Sequence, residues 1–584
     1  MGHSTDGLGR RTTRRAFLGG LAAGGAALLL AACGGGAATP TTAPAATAPA
    51  QATKAATSAP GAGGAATAAG GASPAATAGA APQGKPGGSI IIGTLGEANS
   101  INPFASNESE GDWRVKLLFD EVVRLDPKTL EPAPGLAKSW KIDGKTFTFT
   151  LNDAKFSDGS DLTADDVAFT IKGLLAKATA SPRQSYFLAI EGAQDYANGT
   201  AQDVSGIKVV DPKTLAITLA QPDASFLGNM RRVSPVPKKL LDGKDLSKTS
   251  KEPFFQKPVG AGAFTFVSWQ VGGDFVVQKN PNYFQPGLPY LDKITHRTIP
   301  DAQSLVNALL SGDIDGSLYP SPAGADQLKA NKDLTVLVPP FGQPDGWYFN
   351  YKNAYLAKKE VRQAVAMALD MEQFAKDSLY GLGKPAIGPI APSNYAYDKN
   401  LKAIPYDLDK AKSLVQQAGA PPDGISFMVN KGNVLREDFL TYTQAQLQKI
   451  GWKIKPEVIE YATAVDRVTR KDFDVAESGM FGSGATIDPG DLYEQFVTGA
   501  SRNYQGYSNP QMDMLLKQAK QELDIEKQKG LYAQIQEILM ADLPTAWEWY
   551  RPYLHVVKKK FAGYVDSLDT GGIFSEMEKV YISG

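Results

Sequence analysis

Groups able to do covalent or metal chemistry are few in this 584-residue chain, and their spacing serves none of it well. His296 and His555 lie on distant segments, outside any His-Glu-x-x-His or paired helical spacing, so zinc hydrolysis is not expected. The single cysteine, Cys33, has no partner for a disulfide or a thiolate cluster. Ser205 and Lys208 fit Ser-x-x-Lys, but the companion motifs are missing, and no Gly-x-Ser-x-Gly elbow occurs. Gly482-Ser483-Gly484 lacks the third glycine or the Lys-Ser/Thr pair that completes a phosphate loop. Asp313 and Asp315 open no twelve-residue calcium loop. No catalytic residue, metal site or cofactor is expected.

Aromatic and amide side chains are concentrated instead: Trp347, Tyr348 and Asn350; Phe481 and Ser483; Asn503, Tyr504 and Tyr507; Trp547, Trp549, Tyr550 and Tyr553. Aromatic faces with a few polar groups are what a cleft enclosing a small ligand requires. Ordinary core packing accounts for the same residues equally well, and composition does not choose.

The N-terminus says where such a cleft would work. Arg10, Arg11, Arg14 and Arg15 precede an apolar run that ends at Leu30-Ala31-Ala32-Cys33, the order of a secretory signal with a twin-arginine flavour. Leu-Ala-Ala-Cys resembles the lipobox of bacterial lipoproteins, which implies cleavage after residue 32 and a lipid on Cys33. Four glycines between 19 and 25 make the run weakly apolar and short for a membrane span. Residues 34–87 are nearly all Ala, Gly, Thr, Pro and Ser, with no aromatic residue and no Val, Ile or Leu. They cannot bury enough surface to offset ordering entropy, and read as a flexible leash with a root-mean-square span of about 40 Å. An O-glycosylated stalk is compatible with the same composition. Cleavage would remove four of the 60 basic and one of the 61 acidic side chains, leaving a small acid excess. No basic face for nucleic acid is expected.

From Gly88 onward, helices and strands interleave without a repeat, so the class is α/β or α+β. Ser89–Gly93, Thr146–Leu151, Phe275–Gln278 and Trp452–Ile459 read as strands, and a hairpin is expected around Asp211–Thr214. Helices are expected over 167–176, opened by Thr163 and Asp166, and over 302–311, between Asp301 and Gly312. Others are expected over 361–369, 371–380, 409–418, 437–450, 511–521 and 526–539.

Arg124-Leu-Asp-Pro-Lys-Thr-Leu-Glu-Pro-Ala-Pro-Gly-Leu-Ala-Lys-Ser-Trp140 resembles the opening signature of the family 5 extracytoplasmic solute-binding proteins. These serve ABC importers of oligopeptides, dipeptides, nickel and related solutes. The match continues through Phe156-Ser-Asp-Gly159, Leu162–Val167, Pro258–Phe264, Asn280–Phe284, Val361–Asp370 and Asn503–Pro510. Together these blocks cover essentially all of 88–584.

The resemblance implies an α/β, periplasmic-binding-protein-like fold: two lobes joined by a hinge, with an extra domain inserted near the N-terminus. Lobe I would combine 88–135, 250–345 and 546–584; the extra domain would be 136–249; lobe II would be 346–545. Residues 1–32 would be the signal peptide and 33–87 the lipidated cysteine with its linker. The implied function is a non-enzymatic, monomeric receptor, tethered outside the cell membrane, that hands an organic solute to an ABC permease, the solute being a peptide. An oligosaccharide ligand, a ligand sensor and an extracellular hydrolase are the competing readings.

In the family's peptide binders an acid just before an Asp-Pro step pairs with the peptide amine. The step is matched by Asp488-Pro489, but Phe481–Ile487 carries no carboxylate. Glu477, Asp488 or Asp491 would have to substitute, or the ligand is less cationic. The resemblance maps Asn107–Asp112 onto a cleft-lining loop, where Glu108 and Glu110 supply negative charge; Arg502 and Arg470 are candidates for a ligand carboxylate. The expected ligand-binding set is therefore Glu108, Glu110, Trp347, Tyr348, Phe481, Ser483, Asp488, Arg502, Asn503 and Tyr504.

Overall fold

A computed structural model describes residues 84–98, 100–106, 109–339, 344–481, 488–500, 502–551, 553–565, 567 and 572–583. The signal segment, Cys33 and the linker up to residue 83 lie outside the described residues, as do Glu108, Ser483 and the side chain of Phe481.

Ser89-Ile-Ile-Ile becomes a strand buried from both faces, as an unbroken aliphatic run should. It is the middle of a seven-stranded sheet ordered Leu334–Leu337, His555–Lys558, Gly316–Ser317, Ser89–Thr94, Lys293–Thr298, Asp274–Lys279, Phe264–Trp269. The strict alternation of Thr146–Leu151 buries Phe147, Phe149 and Leu151 and leaves the threonines half-buried. That strand lies in a four-stranded antiparallel sheet with Ala137–Asp143, Thr214–Thr218 and Ile207–Asp211. Both sheets share one hydrophobic core, which runs from Ile90 and Phe264 to Phe149 and Leu215 without a break.

A second body forms around a six-stranded sheet: Lys384–Pro385, Thr545–Tyr550, Pro344–Phe349, Val475–Glu477, Ser426–Asn430, Lys455–Ile459. Separate apolar clusters around Trp549 and Trp547 flank it. Thr545–Tyr550 pairs with Pro344–Phe349 here, so the chain leaves this sheet after Tyr550, later than the expected boundary at 545/546. The hydrogen-bonded register, which sequence does not display, sets that crossing.

Local punctuation places most helix ends. The Thr163–Asp166 capping box opens Ala164–Leu175. Asp301 accepts a 2.7 Å bond from the Ser304 N–H, and Gly312, at φ +86°, ends Ala302–Ser311. Several starts fall one to three residues before the expected ones, as at Ala164 and Lys359. Asp407, not Asp409, caps Leu408–Ala418. The next long helix runs Val434–Lys449, a turn earlier than the sequence suggests, because Asn433 accepts from the Arg436 N–H. That extra turn reaches the candidate site.

Candidate functional site

Parallel strands gather the walls of one cavity. In the first body Ser89–Thr94 runs parallel to Lys293–Thr298 and Gly316–Ser317. Leu95, Ala302 and Tyr319–Pro322 follow their carboxyl ends and line a cavity of about 500 Å³. Ser426–Asn430 likewise runs parallel to Lys455–Ile459 and Val475–Glu477 in the second body. Gly432–Leu435 and Asp438, beyond its carboxyl end, form the facing wall, with Tyr380 beside them. Arg551, Tyr553 and Leu554 line the same space from the segment that crosses between the sheets. Ligands of open α/β sheets lodge in such crevices because the strand ends converge there with their loops.

Behind the second wall two acids on adjacent strands each take an arginine partner. Arg551 donates from Nε and Nη2 to Asp345 Oδ2, at 3.0 and 2.8 Å. Glu477, one strand over, pairs with Arg436 at 2.6 Å and accepts a 2.9 Å bond from the Gly479 N–H. Arg436 in turn donates to Asn430 at 2.7 Å. Asp345 and Glu477 are wholly buried, whereas the Arg551 side chain is 24% exposed. Burial pushes the Glu477 carboxyl up to about 7, against the pull of Arg436. Burial by itself would weaken protonation of Arg551, but Asp345 outweighs it and raises its pKa. A side chain at Gly479 would collide with Asp345 and Arg551, so only glycine lets the pair close.

The model of the bacterial extracellular solute-binding proteins, family 5 (middle), matches residues 131–504. The chain belongs to this family. Oligopeptide-binding protein AppA of Bacillus subtilis strain 168 is 29% identical over 512 residues, which cover 82% of this chain and 90% of that protein. The probable D,D-dipeptide-binding periplasmic protein DdpA of Escherichia coli K12 is 28% identical, over 82% of this chain and 92% of its own. Among solved structures, Bacillus subtilis AppA in complex with a nonapeptide is similar at TM-score 0.73 and 26% identity, covering 86% of this chain and 100% of that one. DppA from Helicobacter pylori in complex with peptide STSA is similar at TM-score 0.72 and 26% identity, over 86% and 99%.

The family 5 fold puts Glu110, and no other described member of the expected binding set, on the wall of this cavity. Trp347, expected at the ligand, lies in the core of the second body. Its indole is fully buried, stacks on Phe439 at 4.9 Å and donates to Thr443 at 3.2 Å, so a solute reaches it only by breaking the core. Tyr348 faces the other way and packs with Met428, Ala476 and, at its edge, Tyr504. Asn503 spends its amide on the carbonyls of Val497 and Tyr507, bracing its own loop.

The acidic substitutes are also engaged elsewhere. Asp488 lines a smaller cavity of about 220 Å³ with Ser225, Arg231 and Tyr395, and accepts a 2.8 Å bond from the Gly490 N–H. Asp491 pairs with Arg502 at 3.2 Å, and Arg470 pairs with Asp466 on an exposed helix. Glu477 is held by Arg436. Of the flagged aromatics, Trp547, Trp549 and Tyr550 are core; Tyr553 reaches the cavity.

The groups set aside as chemically idle also have structural partners. Asp315 accepts from the Ile91 N–H and pairs with Lys558 and Lys560, tying three strands together. His296 is buried against Trp113 and Phe275, and burial next to Arg114 pushes its pKa down to about 3. Among the described residues no cluster of three His, Cys, Asp or Glu could hold a metal.

Sequence reading missed Asp345, Arg551, Tyr319, Tyr380 and Asp438. Asp345 and Arg551 are 206 residues apart, and no local signal links them. Asp438 looked like one more polar residue on a helix face.

Proposed function

We propose that this family 5 protein is the receptor of an ABC importer and captures peptides in the cavity between its two sheet bodies. The observation that carries the reading is the cavity itself, bounded by carboxyl ends of parallel strands from both sheets. A solute touching both walls favours the closed form, because contacts to both exist only there. The relatives named for oligopeptides and D,D-dipeptides support a peptide over other organic solutes.

Glu110 on one wall and Asp438 on the other supply the negative charge that a peptide ammonium needs. Burial, reinforced by neighbouring Glu437, raises the pKa of Asp438, so an arriving cation relieves an unfavourable charge there. Main-chain hydrogen bonds from the strand-end loops would hold the remainder of a peptide. The lobes in this reading are the first from 88–135, 250–339 and 553 onward, the second from 344–551, and the extra domain from 136–249. A lipid on Cys33 would tether the monomeric receptor outside the membrane, within reach of its permease. No helix among the described residues is long and apolar enough to cross a membrane.

Native mass spectrometry of the mature protein, followed by calorimetry with synthetic peptides of two to nine residues, tests the reading. Retained or titrated peptide supports it. A retained sugar, or no heat with any peptide of two to nine residues, removes it.

A further inference from the structure

Tyr380 adopts a backbone conformation that its own sequence neighbourhood does not favour. It follows the helix Met371–Asp377 with φ at +54°, the left-handed region. The Gly381 N–H bonds to the Ala375 carbonyl, and the Leu382 N–H to that of Leu379, closing a helix-end turn in which glycine usually takes this position. A side chain there carries a steric cost that glycine escapes.

The ring is no part of the packed core. Tyr380 is 55% exposed and belongs to none of the hydrophobic clusters, and its hydroxyl makes no hydrogen bond among the described residues. It does line the 500 Å³ cavity. Val434, 68% exposed at the start of its helix, lines the same wall. Across the cavity stand Tyr319 and Tyr553, whose rings meet edge to face at 5.4 Å, with Tyr553 stacked in turn on His555. One wall thus offers a pre-organised aromatic pair, and the other an exposed tyrosine held in an unfavourable backbone.

We propose that Tyr380 is one jaw of an aromatic clamp, with Tyr319 and Tyr553 as the other, that takes an aromatic side chain of the bound peptide. Backbone strain clusters at ligand-binding positions, and ring–ring contacts at 4.5–7 Å add to the burial of apolar surface. Backbone contacts then give affinity to any peptide, and the clamp gives preference. This rests on the peptide reading above and adds a side-chain specificity to it.

The test uses the mature chain, trialanine and its three single-phenylalanine variants, in wild type, Tyr380→Gly and Tyr380→Phe. Wild type should bind one phenylalanine tripeptide about tenfold more tightly than trialanine. Tyr380→Gly should bring that ratio close to one with a Tm no lower than wild type, and Tyr380→Phe should keep the ratio. An unchanged ratio in Tyr380→Gly overturns the clamp alone. So does a Tm lowered by several degrees, which makes the ring a packing residue. A Tyr380→Gly variant that keeps its Tm yet binds no tripeptide overturns side-chain selectivity as its role. If wild type binds no peptide of two to nine residues, the peptide reading falls and the clamp with it; if it binds other peptides but none of these tripeptides, the clamp alone is overturned.

Discussion

Arg551 directs two donors at a single oxygen of Asp345, although 206 residues separate them. The pair sits where the chain leaves the six-stranded sheet, and Arg551 is also part of the cavity wall. Cleft and crossing are thereby fixed by one interaction. Removing either partner takes away the charge with which the other is paired, Asp345 being wholly buried and Arg551 mostly so.

Asp345→Asn is therefore expected to lower unfolding free energy by about 3 kcal/mol. Combining it with Arg551→Met should recover part of the loss, because the stranded cation is then gone. Urea denaturation of the two single variants and the double variant measures the coupling; strictly additive losses would show that the pair is not coupled.

Glu477 predicts a pH dependence. Burial pushes its carboxyl up to about 7 in the folded protein, from an ordinary value of 4.5; the pull of Arg436 and Arg551 does not offset this, and Asp345 adds repulsion. A raised folded pKa means that the native state holds the proton more tightly than the unfolded chain. Its stabilisation is complete below about pH 4.5 and is lost as pH rises through about 7. Between pH 5 and 8 the wild type should lose stability relative to Glu477→Gln, which carries no titrating proton. Parallel stability curves for the two proteins would contradict this.

Trp347→Ala should act on the fold. Removing a fully buried indole from between Phe427 and Phe439 should cost about 3–5 kcal/mol. The urea midpoint should drop sharply. A variant with the wild-type midpoint and weakened ligand binding would return Trp347 to the cleft.

Contacts outside the cavity also join the bodies. The Ala224 N–H bonds to the Lys520 carbonyl at 2.8 Å, Gln521 donates to Gln221, and the Lys520 ammonium lies 4.0 Å from Asp223. Such contacts hold the two bodies in this arrangement without touching a solute. Lys520→Ala should weaken ligand binding about two- to fivefold, the scale of a partly exposed ion pair. Calorimetry on a bound peptide checks this, and unchanged affinity would remove the latch.

The sequence by itself determined what is local. Ser89-Ile-Ile-Ile could only be a buried strand, Thr146–Leu151 only a one-sided one, and the Thr163–Asp166 and Asp301–Gly312 signals placed two helices. The ordered blocks from Arg124 to Pro510 also sufficed for the family. The cavity was not legible in the same way. Trp347 and Tyr553 looked alike as aromatics near a crossing, yet strand register sends one into the core and the other to the cavity. Asp345 and Arg551 meet only because Pro344–Phe349 pairs with Thr545–Tyr550. Hydrophobic period and capping are properties of neighbouring residues, so they can be read along the chain. Which side chains share a cleft depends on pairings between distant segments, and only the tertiary structure fixes those.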